Sequence, residues 1–476
     1  MRKNYWSNDD YYDYDNYDDD KYFSDYDYYY GNGGRRNQNR RDNYGRQSNY
    51  SRRDDYDRQD NRRGRSGFEY TNNYRKNEEV TSGVMYLLMT VFFGVVIITV
   101  MLGRLYLNND SMETDDDPVP VITSSSESET SSQPEPVDSE TQKIEEELDA
   151  MSIEQKVGQL FMVRNNGKGS LIDTVAQTNA GGVILFADDF KGKTADEVRG
   201  MISEIQSCSD GRMMIAVDEE GGTVVRVSSN TKLRSSKFLS PQRLYAKGGF
   251  DLIVSDTEEK CELLHSLGIN MNMAPVADVC TSSSGFIYNR SFGKGADETA
   301  EYVSMVVTTM KETPVASCVK HFPGYGNSKS DTHQKLDVNE KSLDELTECD
   351  LVPFEAAIRD GADSIMLTHT IIKAIDPDHP ASLSPEVVEL LREDMGFEGL
   401  LITDGLEMGA IVDYSGANTG KICVMAVIAG VDVLCAPKNP VSDYNAVLEA
   451  VRSGVIEESR IDESVRRILK LKQKFE

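Results

Sequence analysis

Short apolar runs alternate with longer amphipathic stretches from about residue 142 onward. The apolar runs are rich in β-branched residues and predict strands. They cover residues 157–163, 181–187, 213–218, 269–276, 314–320, 364–369, 399–404 and 431–437. Segments 194–207, 342–361 and 384–397 each begin with a Ser or Thr cap, carry acids early, and repeat apolar residues three to four positions apart. This second pattern predicts helices between the strands.

Eight strand–helix alternations predict an α/β fold, a (β/α)8 TIM barrel over residues 142–476. The nearly continuous apolar runs are typical of parallel strands that are covered on both faces. An open doubly wound sheet is the alternative. It is less favoured because no Gly-rich phosphate loop follows the first strand.

Residues 83–102, "GVMYLLMTVFFGVVIITVML", carry no charge and have the length of a membrane-spanning helix. We expect a transmembrane helix over residues 83–104, because the stretch lies too far from Met1 for a signal-peptide core. A buried core helix is the alternative, but no amphipathic period is visible. Arg75 and Lys76 precede the span. The positive-inside rule therefore predicts a cytoplasmic N-terminus and an external C-terminal domain.

The segments on either side of this span have unusual compositions. Residues 1–80 are mostly Tyr, Asp, Asn, Arg and Gly, which predicts a disordered cytoplasmic tail. The arginine-rich half of the tail could bind RNA or anionic lipid. The alternative is a solvated segment that lies at the membrane surface. The sequence does not identify a partner for the tail. Residues 105–141 are acidic and rich in Ser and Pro, which predicts a flexible linker.

Charge and cysteine content bear on the binding partners and the disulfides of the outer domain. The net charge of −29 argues against a nucleic-acid partner for this domain. All seven cysteines lie in it, but their number is odd, their spacings are wide, and no CxxC occurs. Although an external location permits disulfides, we interpret most of the cysteines as buried free thiols.

Polar or ionisable residues end four of the predicted strands. They are Asp218, the pair Lys320 and His321, His369, and Asp404. A single residue of this kind would only mark a strand end that meets water, but a barrel gathers the carboxyl ends of its strands on one face. We therefore expect the active site there. Carboxylates, a lysine and histidines without metal-ligand spacing favour acid/base and nucleophilic chemistry, with no metal or organic cofactor.

Two carboxylates suit different steps of this chemistry. Asp404 lies at a rigid strand end before Gly405, and such a carboxylate is suited to attack an anomeric carbon. Asp331 and His333 lie two residues apart in a Gly-rich loop. A carboxylate that binds one imidazole nitrogen orients the ring and leaves the other nitrogen to transfer a proton.

Three motifs occur in order: "IAVDEEGGTVVRV", "KHFPGYG" followed by "SDTH", and "LITDGLEMGAI". Over residues 145–476 the chain resembles glycoside hydrolase family 3, in particular its β-N-acetylhexosaminidase branch. The resemblance implies a retaining mechanism with Asp404 as nucleophile and His333, paired with Asp331, as general acid/base. It also implies a set of residues that hold the non-reducing sugar: Asp218, Arg226, Arg290, Lys320 and His321.

Three other histidines and one tyrosine lie outside this set. His369 either lines the pocket or is a structural strand-end histidine, and His265 and His379 receive no role. The family usually reads KHFPGHG where this chain has Tyr325. We interpret Tyr325 as a tolerated change in loop packing.

The expected function is that of a membrane-anchored, exo-acting, retaining β-N-acetylglucosaminidase on the outer face of a bacterial cell. Its substrate would carry terminal β-linked GlcNAc from peptidoglycan or chitin-type fragments. A family 3 β-glucosidase is one alternative, disfavoured by the SDTH loop. A GlcNAc phosphorylase is another, since a histidine acid/base does not repel phosphate. A non-catalytic cell-wall-binding protein is the third, disfavoured because every proposed catalytic residue is present.

Overall fold

Eight parallel strands form the centre of the computed structural model. They are β1 Phe161–Val163, β2 Gly182–Leu185, β3 Met214–Val217, β4 Met271–Asn272, β5 Ala316–Phe322, β7 Ser364–Leu367, β9 Leu400–Thr403 and β10 Leu434–Cys435. Their order in the sheet is β10-β1-β2-β3-β4-β5-β7-β9. A parallel bridge between Ile402 and Val433, with a hydrogen bond from the Thr403 N–H to the Val433 carbonyl (3.0 Å), joins β9 to the segment entering β10. The predicted barrel is confirmed as a nearly closed, parallel α/β barrel.

The structure describes residues 139–167, 169–209, 212–325 and 336–475. The predicted tail, the predicted transmembrane helix and most of the predicted linker lie outside these residues. Within the described part of the chain, every helix is too short or too polar to cross a membrane. The first described helix begins at Ser139, three residues before the predicted start of the barrel domain.

Helices follow every strand of the barrel and cover its outer surface. In chain order the α-helices are Ser139–Ala150, Ile153–Gln159, Leu171–Thr178, Ala187–Phe190, Ala195–Gln206, Pro241–Ser266, Ala296–Lys311, Leu343–Glu345, Val352–Asp360, Pro385–Glu389, Gly409–Tyr414, Thr419–Ala429, Pro440–Arg452 and Glu458–Gln473. In the described residues, two π-helical turns, Leu346–Asp350 and Leu390–Asp394, and one 3-10 turn, Ala381–Leu383, extend or connect them. The predicted Thr194 cap is present and its hydroxyl accepts from the Glu197 N–H.

The first predicted strand is partly wrong, because its first half is helical. Ser152 and Gln155 form a capping box that starts the helix Ile153–Gln159. Gly158 lies within this helix against the carbonyls of residues 178 and 179, where an added Cβ would approach to 2.3 Å. The close contact keeps this turn helical, so β1 begins only at Phe161.

Two short strands lie in the connections that follow β5 and β7. They are β6 Val338–Asn339 and β8 Ile371–Ile372, and they pair in parallel. Because both connections leave the carboxyl ends of barrel strands, this pair belongs to the face where the active site is expected.

A charged cluster lies at the amino-terminal ends of the barrel strands, opposite the expected active site. Asp432 is fully buried and accepts hydrogen bonds from Arg392 (2.6 Å) and the Ser464 hydroxyl (2.7 Å). It also accepts from the Leu401 N–H at 3.0 Å. Because these partners come from β9, the final helix and the π-helical turn, Asp432 holds these elements together.

All seven cysteines are unpaired, as predicted for most of them, and five are buried. Cys318 on β5 and Cys435 on β10 lie inside the barrel. Burial raises the pKa of the Cys318 thiol to about 12. These thiols are therefore protonated at neutral pH and behave as small apolar side chains.

Candidate active site

A network of buried charges occupies the carboxyl ends of β3 and β5. Lys320 on β5 is 1% exposed, and its Nζ lies 2.7 Å from Asp218 Oδ1. The same Nζ lies 2.6 Å from Glu220 Oε1. Asp218 follows β3 directly, and Arg226 lies 3.4 Å from its Oδ2. The structure therefore brings together three residues of the predicted sugar-binding set.

Glu220 joins a fourth predicted residue to this network. The Arg290 guanidinium donates to both carboxylate oxygens of Glu220, at 2.8 and 2.9 Å. This planar two-point contact fixes the orientation of the guanidinium. Sequence reasoning assigned no role to Glu220. Its position in the acidic run "DEEGG", directly after a strand, was the available signal.

The pKa values of the network follow from its charges. Burial by itself raises the pKa of Glu220, but Arg290 and Lys320 outweigh burial and lower the pKa to about 2. Burial likewise raises the pKa of Asp218, but Lys320 and Arg226 outweigh it and hold the pKa well below its usual range. For Lys320, burial lowers the pKa, but Asp218 and Glu220 together raise it above its ordinary value. The three groups are therefore ionised at neutral pH.

Glu219 shapes the loop that presents Arg226. Its buried carboxylate accepts hydrogen bonds from the N–H groups of Arg226 (2.8 Å) and Val227 (2.7 Å) and from the Ser228 hydroxyl. Burial raises the pKa of Glu219. Because the carboxylate binds backbone groups of the loop, Glu219 is a structural residue. Glu219 was likewise not predicted as a site residue.

His321 is held by an aspartate that sequence reasoning missed. Its Nδ1 lies 2.8 Å from Asp278 Oδ2, and its Nε2 lies 3.3 Å from a nitrogen of Arg290. A carboxylate accepts and a guanidinium donates, so these partners assign the Nδ1–H tautomer to His321. Asp278 follows β4 by a few residues, and its other oxygen accepts from the Tyr325 N–H at 2.7 Å. It thus connects His321 to the start of the next loop.

Asp404, the predicted nucleophile, lies at the end of β9. Its Oδ1 accepts from the Gly405 N–H at 2.7 Å, and its Oδ2 is 3.4 Å from the Tyr325 hydroxyl. Tyr325, interpreted from the sequence as a tolerated change in loop packing, therefore also contacts Asp404. The hydroxyl faces the candidate catalytic carboxylate, which no local sequence pattern indicated.

His369 is fully buried. Its Nδ1 lies 2.7 Å from the Ser382 hydroxyl, and its Nε2 lies 3.1 Å from the Gly405 carbonyl. Since a carbonyl only accepts, Nε2 carries the proton and Nδ1 accepts from the hydroxyl. These contacts hold the backbone beside Asp404, and the pocket-lining role of His369 stays a prediction.

A second ion pair crosses the strand ends beside Asp404. Arg164 follows β1 and pairs with Glu407, which lies three residues after Asp404. The Arg164 guanidinium lies over the Phe186 ring, 4.0 Å from its centroid, and Arg226 lies 5.1 Å from the same centroid. Phe186 follows β2. Arg164, Phe186 and Glu407 were not predicted as site residues.

Asp331 and His333 fall in residues 326–335, outside the described residues. Their roles as an orienting carboxylate and a general acid/base stay predictions. The described chain reaches this segment at Tyr325, next to Asp404, and resumes at Leu336, close to β6.

Residues 152–471 match the family described as the glycosyl hydrolase family 3 N terminal domain. The chain belongs to glycosyl hydrolase family 3. This confirms the predicted resemblance and makes the chain a glycoside hydrolase. Among its curated relatives, a β-hexosaminidase of Methylococcus capsulatus is 32% identical over 282 residues, covering 58% of this chain and 80% of the relative.

Solved structures of family 3 support the β-N-acetylhexosaminidase branch. A β-N-acetylglucosaminidase from Paenibacillus sp. FPU-7 is 33% identical with a TM-score of 0.63 and covers 68% of this chain. This chain spans 63% of that protein's length. A β-N-acetylhexosaminidase from Beutenbergia cavernae is 25% identical with a TM-score of 0.62, covering 68% of this chain and 99% of that protein.

Proposed function

We propose that this family 3 hydrolase removes terminal β-linked N-acetylglucosamine and retains the anomeric configuration. One observation carries the proposal: Asp404 is fixed at the end of β9, and Tyr325 and His321 connect it to the charged network around Lys320. Transfer of a glycosyl group to an enzyme requires a carboxylate that can react with the anomeric carbon. It also requires neighbouring ionised groups that bind the sugar hydroxyls. The similarity to the Paenibacillus β-N-acetylglucosaminidase supports GlcNAc as the sugar.

In the first step Asp404 attacks the anomeric carbon while the bond to the leaving oxygen breaks. His333 donates a proton to that oxygen, and Asp331 orients its ring. In the second step His333 takes a proton from water. The water oxygen then bonds to the anomeric carbon and Asp404 leaves as a carboxylate. Both transition states have oxocarbenium character, so developing positive charge on the ring meets the negative charge of Asp404.

The charged network would hold the sugar before and during these steps. Asp218 and Glu220 are acceptors for sugar hydroxyls, while Lys320, Arg226 and Arg290 are donors. Because the carboxylates and cations stabilise each other's charged forms, the network is ionised and positioned without the sugar. Such a preformed site holds the ring in a reactive geometry at little additional entropic cost.

The proposed activity is tested with the full-length chain and nitrophenyl β-glycosides of GlcNAc, glucose and xylose. We expect turnover on GlcNAc to exceed that on the other two sugars, with β-GlcNAc as the first product by NMR. The reaction is repeated with and without phosphate. GlcNAc-1-phosphate as the main product would identify a phosphorylase, and preference for glucose would identify a β-glucosidase. No turnover on any of them would favour the wall-binding alternative.

We further propose that the domain is anchored outside a bacterial membrane and acts on peptidoglycan or chitin-type fragments. The uncharged stretch 83–102, preceded by Arg75 and Lys76, supports this topology. Protease added to wall-stripped intact cells is expected to release an active fragment of the outer domain. Cleavage of the N-terminal tail alone would show the opposite orientation.

A further inference from the structure

Tyr325 occupies a constrained position between the sugar-binding network and the candidate nucleophile. Its backbone N–H is held by Asp278 at 2.7 Å, and its ring packs edge-on against His321 with centroids 5.0 Å apart. The residue is 5% exposed. The hydroxyl at the end of this fixed ring lies 3.4 Å from Asp404 Oδ2.

The apolar side of the ring is also fixed. Tyr325 belongs to a small cluster with Val276, Cys280 and Ile287, separate from the main core, and Tyr288 packs against it. Apart from Tyr325, which follows β5, the cluster comes from the long connection after β4. Because the backbone bond, the ring contacts and this cluster all restrict the side chain, the direction of the hydroxyl is determined by packing.

We propose that Tyr325 is a positioning residue for Asp404, which its hydroxyl orients and stabilises as a carboxylate. The inference rests on the proposed role of Asp404 as nucleophile. With the Gly405 N–H on Oδ1 and the tyrosine hydroxyl on Oδ2, each carboxylate oxygen has a donor. Rotation of the carboxylate would break both bonds.

The distance limits the size of the effect. An O–H···O hydrogen bond is normally 2.5–3.0 Å long, so a separation of 3.4 Å corresponds to a weak bond in the free enzyme. Catalytic hydrogen bonds often tighten when substrate binds. When the glycosyl–enzyme bond breaks, the released carboxylate gains negative charge, and the tyrosine donor stabilises it. The contribution is therefore largest in deglycosylation.

The test compares Tyr325→Phe, which removes only the hydroxyl, with the wild type. A donor favours the ionised carboxylate, so its loss should move the acid limb of kcat/KM to higher pH by about half a unit to one unit. Deglycosylation, measured from the steady-state phase after a pre-steady-state burst, should slow about tenfold. Among the described residues, Cys435 lies within electrostatic reach of Asp404, Asp218, Cys318 and Glu407, and these groups are unchanged in this variant.

Two further variants serve as controls. Tyr325→His supplies an N–H donor, as in the usual family motif, and should restore part of both effects. Tyr288→Phe removes a hydroxyl from the neighbouring ring of the same cluster and should leave the pH profile and the burst unchanged. Thermal unfolding of each variant shows whether its fold is intact.

The outcomes separate this inference from the proposed function. In the wild type, a 5-fluoro GlcNAc reagent should label Asp404, and labelling elsewhere would refute the nucleophile assignment itself. If Asp404 is labelled but Tyr325→Phe keeps the wild-type acid limb and deglycosylation rate, the positioning role is wrong. Equal slowing in Tyr325→Phe and Tyr288→Phe would show that only the packing of the cluster matters.

Discussion

Lys320 and Glu220 form an ion pair in which Nζ and Oε1 lie 2.6 Å apart and both side chains are 2% exposed. Asp218 also contacts Lys320, and Arg290 contacts Glu220 on its other side. If one charged side chain of this buried network is removed, the opposite charges beside it stay buried without a partner. The pair is therefore expected to matter for both stability and substrate binding.

Glu220→Gln keeps the side-chain shape but removes the charge between Lys320 and Arg290. We expect kcat/KM to fall about 100-fold, because both cations shift toward the remaining carboxylates. The free energy of unfolding should fall by about 3 kcal/mol. Steady-state kinetics and urea denaturation measure the two effects. Glu355→Gln, at an exposed position of a helix, is the control and should change neither. Wild-type kinetics in Glu220→Gln would mean that the network does not bind the sugar.

The pH dependence of stability follows from the same residue. The pKa of Glu220 falls from 4.5 to about 2 on folding. A lowered pKa contributes stability that is present above the unfolded value and is lost as pH falls toward the folded value. The difference in unfolding free energy between wild type and Glu220→Gln should therefore shrink by about 2 kcal/mol from pH 6 to pH 3. Urea midpoints at the two pH values measure this. A constant difference would contradict the lowered pKa.

Asp404→Ala should lose at least about 10⁴-fold in kcat if Asp404 is the nucleophile. Its carboxylate is partly exposed at a strand end, so the melting temperature should change little. Turnover of a nitrophenyl GlcNAc glycoside and circular dichroism provide the measurements. Asp413→Ala, an exposed aspartate on the helix Gly409–Tyr414, is the matched control and should remain active. Substantial turnover in folded Asp404→Ala would require another nucleophile.

His369→Ala removes the partner of the Ser382 hydroxyl and of the Gly405 carbonyl. If His369 has a structural role, the free energy of unfolding should fall by about 2 kcal/mol. In that case kcat should also fall by a larger factor than KM rises. A pocket-lining role predicts the reverse, a raised KM with unchanged stability. Denaturation and steady-state kinetics distinguish the two. His265→Ala, at an exposed helical position, should behave like wild type.

His333→Ala should affect substrates according to their leaving groups. The leaving oxygen of a natural sugar must be protonated as the glycosidic bond breaks. A nitrophenolate is a good leaving group and needs little protonation. The loss on a natural disaccharide should exceed the loss on a nitrophenyl glycoside by about 10²–10⁴-fold in the glycosylation step. Asp331→Asn should shift the same way but less, because the imidazole remains.

Pre-steady-state bursts are needed for this comparison, since deglycosylation limits the overall rate when the acid/base is missing. Equal losses on both substrates would point to a role in sugar binding. Another residue would then have to supply the proton.

The sequence by itself determined the strands and the face that carries the site. Strand runs are local, because side-chain alternation and β-branched residues act over a few positions. Once the strands are known to be parallel, their carboxyl ends must lie on one face, so Asp218, Lys320 and Asp404 could be assigned to one site. The prediction was weakest at residues 157–163, where a capping box and the close packing of Gly158 override an apolar run.

Only the tertiary structure decided how these residues are connected. Glu220 and Arg290 are 70 positions apart, and Tyr325 and Asp404 are 79 apart. Asp278 and His321, which contact each other, are 43 positions apart. No local pattern encodes such pairings, because they depend on which side of each strand end a side chain leaves and how loops from different strands pack. A buried charge is stable only beside its partners, so the physical role of Glu220 became apparent when Lys320 and Arg290 were found around it.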